Sequence, residues 1–183
     1  MVYVFLADGF EEMEAVAPID ILRRLGISVT TVGVTGERVT GSHGIEVTAD
    51  TIIDKCDFSD ASALLLPGGM PGTLNLSNSQ KLCSFIKEAD TKGILLAALC
   101  AAPSVFLKLG ILKGRDYTCY PGFEEETEGN YKNVPLVVSE GKSTVITAWG
   151  PGAAYRFAFA VGQKLTGKDL TDLKASMMMC GDE

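Results

Sequence analysis

Histidine is almost missing from this 183-residue chain, which has one, His43. The five cysteines, at 56, 83, 100, 119 and 180, are odd in number and contain no Cys-x-x-Cys pair. Neither a zinc site nor a disulfide framework is expected from such spacing. Basic residues are sparse as well: 16 Lys and Arg stand against 23 Asp and Glu, a formal net charge of -7, with no basic cluster. That balance argues against nucleic acid as a partner. No apolar run approaches the roughly 20 residues that cross a bilayer. Met1-Val2-Tyr3 opens on a strand with no basic leader, so the expectation is a cytoplasmic protein with no membrane association. A Gly-x-Gly-x-x-Gly turn is also lacking. The first strand runs instead into Ala7-Asp8-Gly9-Phe10, which cannot cradle a pyrophosphate in the dinucleotide manner. No nicotinamide, flavin or metal cofactor is expected.

What remains is a chain of one-domain size, read as a single unit over residues 1–183, in which strand and helix signals alternate. Val2 to Leu6 is a short apolar strand, followed by a helical pattern from Phe10 to about Leu25 that Gly26 should stop. Ile27 to Val34 reads as a strand, and Arg38 to Ala49 as a hairpin turning near Gly41-Ser42-His43-Gly44. Ala63 to Leu66 and Ile94 to Leu99 are continuous apolar runs of the buried-strand kind, with a helix between them at Ser79 to Ala89. Tyr117 to Cys119, Leu136 to Val138 and Thr144 to Thr147 read as strands, then Gly152 to Leu165 and Asp169 to Met178 as helices. The pattern predicts a three-layer α/β sandwich with a mostly parallel sheet. The acidic run Glu124-Glu125-Glu126 with Glu128 reads as a solvated face or loop.

The Ile94 to Leu99 run stops at Cys100, before Ala101, Ala102 and Pro103 restart the chain as a helix. A thiol between a strand's carboxyl end and a helix amino terminus meets unpaired N–H groups and the positive end of the helix dipole, which favour thiolate. Small neighbours permit the tight turn of a nucleophile elbow. The competing reading is a core thiol acting as a small hydrophobe. Gly68 and Gly69, after the Ala63 to Leu66 strand, could bring N–H groups close to a ligand, though paired glycines are also ordinary turn residues.

In the first helix, 100° per residue separates three acids. Glu12 falls beside Arg23 on the polar side, whereas Glu14 falls between Ile21 and Leu25 in the apolar stripe. Burial would raise the Glu14 pKa toward a protonated, hydrogen-bond-donating form suited to acid/base work beside a thiol. The alternative is a first-turn acid that stabilises the helix dipole. Glu11 reads as the partner of Asp8 in a capping-box-like start. Pro18 leaves the Glu14 carbonyl without its helical donor and should strain or kink the helix.

Asp-Gly-Phe-Glu-Glu-Met-Glu-Ala-Val at 8–16, Ile-Asp-Ile-Leu-Arg-Arg-Leu-Gly at 19–26, Leu-Pro-Gly-Gly at 66–69, Ala-Ala-Leu-Cys-Ala-Ala-Pro at 97–103 and Trp-Gly-Pro-Gly at 149–152 occur in order across nearly the whole chain. Together they resemble the ThiJ/PfpI superfamily, in its branch around the parkinsonism-associated protein deglycase. The resemblance implies a flavodoxin-like fold and a homodimer. It implies Cys100 as reactive cysteine, Glu14 as its partnering acid, and Gly69 and Ala101 as backbone oxyanion donors. Protease-like members carry a histidine directly after the cysteine, where this chain has Ala101, so peptidase activity is disfavoured. Tyr120 stands where many members of the branch have a histidine, and a Tyr hydroxyl is a poor base near neutrality. His43 stands where relatives often have an arginine and reads as a surface or interface residue. Arg24 is then the candidate for an anion pocket.

The implied function is a glyoxalase or deglycase acting on a small carbonyl or glycated substrate, methylglyoxal or its early adducts. Two alternatives share the same residues: a redox-responsive chaperone with an oxidisable Cys100, and a hydrolase of another small activated acyl compound.

Overall fold

A computed structural model describes residues 1–124 and 129–179. Glu125, Glu126, Glu128 and Cys180 lie outside those residues. In chain order the elements are β1 (Val2–Leu6), α1 (Glu12–Arg24), β2 (Val29–Gly33), β3 (Arg38–Thr40), β4 (Glu46–Thr48), β5 (Thr51–Ile52), β6 (Ala63–Leu66), α2 (Gly72–Asn78), α3 (Gln80–Lys92) and β7 (Leu95–Leu99). They continue with α4 (Pro103–Lys108), β8 (Asp116–Tyr117), β9 (Asn130–Tyr131), β10 (Leu136–Ser139), β11 (Val145–Ala148), α5 (Ala154–Thr166) and α6 (Thr171–Ser176).

Seven strands form the central sheet in the order β10-β11-β7-β6-β1-β2-β5, parallel throughout except for β10 against β11. Val4 sits between Thr31 and Leu65, and Ala98 between Leu66 and Thr147. Both faces are covered, which is why β1, β6 and β7 are apolar without alternation. Tyr3, Phe5 and Leu64 pack with Leu82, Ile86 and Phe106 on the α3/α4 side. Val4, Leu6 and Leu65 pack with Leu22, Phe157 and Val161 on the α1/α5 side. The result is the predicted three-layer, flavodoxin-like α/β fold. Among the described residues no helix is long and apolar enough to cross a membrane.

Local chemistry sets the ends of the long helices. Gly26 takes φ +75 where α1 stops, and its N–H donates to Arg23 O. Ser79 caps α3 by accepting from Leu82 N. Pro18 lies inside α1, which nonetheless runs unbroken from Glu12 to Arg24. The expected strand at Tyr117 to Cys119 is instead β8, which pairs with β9 outside the main sheet. Beyond it, Thr118 N donates to the Thr147 side chain. The helix expected at Asp169 to Met178 shortens to α6. Three elements carry no sequence expectation: α2 and the two-residue strands β5 and β9.

Candidate active site

The loops after β1, β6, β7 and β11 meet at the carboxyl edge of the sheet, where open α/β folds bind ligands. At the end of β7, Cys100 has φ +62, a left-handed conformation costly for a side chain-bearing residue. Three backbone hydrogen bonds hold it there. Cys100 N donates to Ala148 O (2.8 Å), Tyr120 N donates to Cys100 O (2.8 Å), and Ala102 N closes the turn onto Leu99 O (3.1 Å). Ala101 and Ala102 are buried beside it, so a larger residue would have to displace the core. This is the geometry of a nucleophile elbow.

Glu14 arrives from α1, and its side chain is 1% exposed. Its Oε2 accepts from Gly68 N at 2.7 Å. Its Oε1 is buried with no hydrogen-bond partner. The Cys100 thiol is within hydrogen-bonding reach of the Glu14 carboxyl and of the Gly69 and Ala101 N–H groups. Gly68 and Gly69 are required by space. A Cβ on Gly68 would lie 2.7 Å from Cys100 Cβ and 2.8 Å from Glu14 Oε2, and one on Gly69 would lie 2.5 Å from Glu11 N and Gly9 O. The β1 and β6 loops therefore touch backbone to backbone, joined by Glu11 N donating to Gly68 O and Gly72 N donating to Gly9 O. Gly68 is thus a donor to Glu14, while Gly69 and Ala101 are the N–H groups turned to the sulfur.

Burial pushes the Glu14 carboxyl up to about 7, against the Gly68 hydrogen bond that favours its charge. Burial, followed by the Glu14 charge, pushes the Cys100 thiol up to about 12, against the Gly69 and Ala101 N–H groups. The dipole of α4, a helix of six residues, does not win against these effects, so the expected lowering of the Cys100 pKa is corrected. Both shifts have burial as their largest cause, and for Cys100 the Glu14 charge adds to it. The pair titrates as a unit, and a single charge can reside on sulfur only while the proton sits on Glu14.

The neighbouring acids differ from expectation. Glu11, not paired with Asp8, is itself the N-cap of α1 and accepts from Glu14 N at 2.7 Å, thereby orienting the helix turn that carries Glu14. Asp8 instead accepts from Thr40 N. Glu12 is buried rather than solvated, because the β3–β4 hairpin folds over it. It accepts from His43 N and Ile45 N and pairs with His43 Nδ1 at 2.8 Å. Glu11, Glu12 and His43 bring ligand-type atoms within 4.8 Å of one another, but these hydrogen bonds make the group a latch between hairpin and helix.

His43 is an exposed surface residue, as expected. Arg24 is not in the site. It lies ten residues beyond Glu14, about 15 Å along the helix, and pairs with Asp20 at 2.6 Å. Arg24 instead lines the hollow across α1 and α5, with Met13, Asp20 and Tyr155. Tyr120 is brought to the site through its bond to Cys100 O, and its half-exposed ring lies over Gly150. Trp149 joins it, directly after the Ala148 carbonyl that anchors Cys100 N. Its motif is visible in the sequence, but no role follows from the motif. The signal that could have found it is position, since the chain's one tryptophan follows the carboxyl end of a central strand.

A family model described as the DJ-1/PfpI family matches residues 1–164. Protein dj-1beta of Drosophila melanogaster is 37% identical over 169 residues, covering 91% of this chain and 89% of that protein. A Caenorhabditis elegans protein named glutathione-independent glyoxalase DJR-1.2 is 31% identical over 164 residues, covering 88% and 86% of the two chains. The structure of oxidized Toxoplasma gondii DJ-1 superimposes with a TM-score of 0.90 at 31% identity, covering 98% of each chain. By sequence, by fold and along nearly its full length, this chain belongs to the DJ-1/PfpI family.

Proposed function

We propose that this chain is a cofactor-independent glyoxalase that converts methylglyoxal, or its early adducts with amines and thiols, to lactate. The observation that carries the reading is the buried Glu14 carboxyl facing a thiol on a strained elbow. The name of the Caenorhabditis elegans relative supports it. In this mechanism the Cys100 thiolate forms a C–S bond to the aldehyde carbon, and the oxyanion that develops faces the Gly69 and Ala101 N–H groups before taking the Glu14 proton. The Glu14 carboxylate then removes the hydrogen from that carbon and returns a proton to the neighbouring carbon. The first carbon is oxidised to a thioester and the second reduced to an alcohol. Water cleaves the thioester, releasing lactate and restoring the thiol. Overall, methylglyoxal and one water become lactate, with no external redox partner.

The proposal includes a homodimer and a cytoplasmic setting. Exposed Met13, Val16, Ile45 and Tyr155 line one hollow across α1, the hairpin and α5 and support a self-association surface. A second reading draws on the same N–H pair. Peroxide would oxidise the Cys100 thiolate to sulfenate and then sulfinate, whose oxygens those donors and a protonated Glu14 would hold.

The deciding experiment is lactate release from methylglyoxal by the wild type beside Cys100→Ser, in buffer free of small thiols. Repeated turnover by the wild type, lost in the variant, is expected. Equal rates remove the enzyme reading, and a wild type that is inert but singly oxidised by peroxide favours the sensor.

A further inference from the structure

A hollow of about 290 Å³ is lined by Tyr120, Pro121, Asn133, Trp149, Gly150, Pro151 and Gly152, and Tyr120 and Trp149 adjoin the backbone hydrogen bonds of Cys100. The backbones of its two aromatic walls adjoin the hydrogen bonds that hold the elbow. Tyr120 N donates to Cys100 O, and Trp149 follows the Ala148 carbonyl that accepts from Cys100 N. Gly150 lets them approach, because a Cβ there would lie 3.3 Å from the Tyr120 ring. Among the described residues no charged side chain lines this hollow. Tyr120 and Trp149 are both substantially exposed, so large apolar surface faces solvent here.

Methylglyoxal has five heavy atoms and presents only a methyl group to such a hollow. An apolar cavity of about 150 Å³ is enough to hold a benzene ring, and this space is nearly twice that. Aromatic walls add offset or edge contacts to a ring that they do not offer a methyl group.

We infer that Tyr120 and Trp149 are specificity-determining residues, and that they select α-oxoaldehydes bearing an aromatic or flat apolar group over small or charged ones. The inference rests on the proposed glyoxalase reaction, which fixes the reacting carbon at Cys100 and leaves the substituent to be placed. For phenylglyoxal the same proton shuttle converts the aldehyde and one water to mandelate.

Initial rates with phenylglyoxal, a carboxy-substituted phenylglyoxal and methylglyoxal test it. The wild type should give a higher kcat/KM for phenylglyoxal than for either of the others. Tyr120→Ala and Trp149→Ala should each lower the phenylglyoxal-to-methylglyoxal ratio by about tenfold, the size expected for lost apolar burial and ring contact. A ratio within about twofold of wild type in both variants overturns the inference while leaving the glyoxalase reading intact. If the wild type turns over neither aldehyde, the reaction reading fails and binding decides. Trp149 is the chain's one tryptophan, so its fluorescence in the wild type reports occupancy with no variant needed. Mandelate should change that signal at concentrations about tenfold lower than lactate does, and equal or absent responses overturn the inference.

Discussion

Replacing Glu14 with Gln should change the pH dependence of folding in a way its removal from solvent fixes. The carboxyl moves from an ordinary 4.5 to about 7 in the folded chain because burial disfavours its charge. Such a change corresponds to about 3 kcal/mol. The folded state holds the proton more tightly than the unfolded state, so the stability from this group is fully present below pH 4.5. It is lost as pH rises toward about 7 and is gone above that. The Glu14→Gln side chain keeps the shape and can still accept from Gly68 N through its carbonyl, but it does not titrate. Urea unfolding of both proteins under reductant, across that range and on to mildly alkaline pH, provides the measurement. The stability difference, wild type minus variant, should fall by about 3 kcal/mol with rising pH. For a domain of this size that is roughly 6 to 12 °C in the difference between melting temperatures. Titrations common to both proteins cancel. A difference that stays flat through the range would show that Glu14 is not a high-pKa buried acid and would take the proton donor out of the mechanism.

Gly68→Ala adds one methyl group within 2.9 Å of Cys100 Cβ, Glu14 Oε2 and Leu99 O. It should cost about 1–3 kcal/mol and abolish lactate formation although both reactive side chains remain; full activity would refute the wedge. Arg115→Ala removes the donor that joins Ser143 O (2.7 Å) to Asp90 Oδ1 (2.9 Å) in a mostly buried network. Leaving Asp90 to Ser143 alone should cost about 3 kcal/mol by urea unfolding, and a loss below about 1 kcal/mol would make it an ordinary surface pair. The Glu12 hydrogen bond and charge raise the His43 pKa above 6.5, so the charged part of the hairpin latch is present below that value and is lost as pH rises through the raised one, while the His43 N and Ile45 N bonds to Glu12 stay. Protection factors for the β3–β4 amides should fall over that interval in the wild type but not in His43→Gln; parallel curves would rule the latch out.

The strands were legible where burial on both faces leaves an unbroken apolar run, as in Val2 to Leu6 and Ala63 to Leu66. Gly26 was legible as a stop because a glycine at positive φ ends a helix cheaply. Glu14 was legible from phase alone, since its direction along α1 is set within the helix. Glu12 follows the same phase rule and was misread, because what buries it is a hairpin about thirty residues away in sequence. For Arg24 a resemblance supplied a role, and the helix carries the residue away from Glu14. The direction of the Cys100 shift was missed because the dipole of a short helix was weighed without the burial of the thiol, which tertiary packing sets. Strands of two residues, such as β5 and β9, leave too little pattern to read at all.

The interlocked glycines of the β1 and β6 loops also divide the site by how freely it can vary. Gly9, Gly68, Gly69 and Gly72 have backbone or proline atoms where a side chain would go, so almost any replacement there moves the loops themselves. Tyr120 and Trp149 stand at the edge with room around them. Under the proposed reaction, descent or laboratory selection could therefore exchange substrates by altering the rim while the floor that aligns thiol and carboxyl stays as it is, so that new specificity need not reopen the problem of assembling the catalyst.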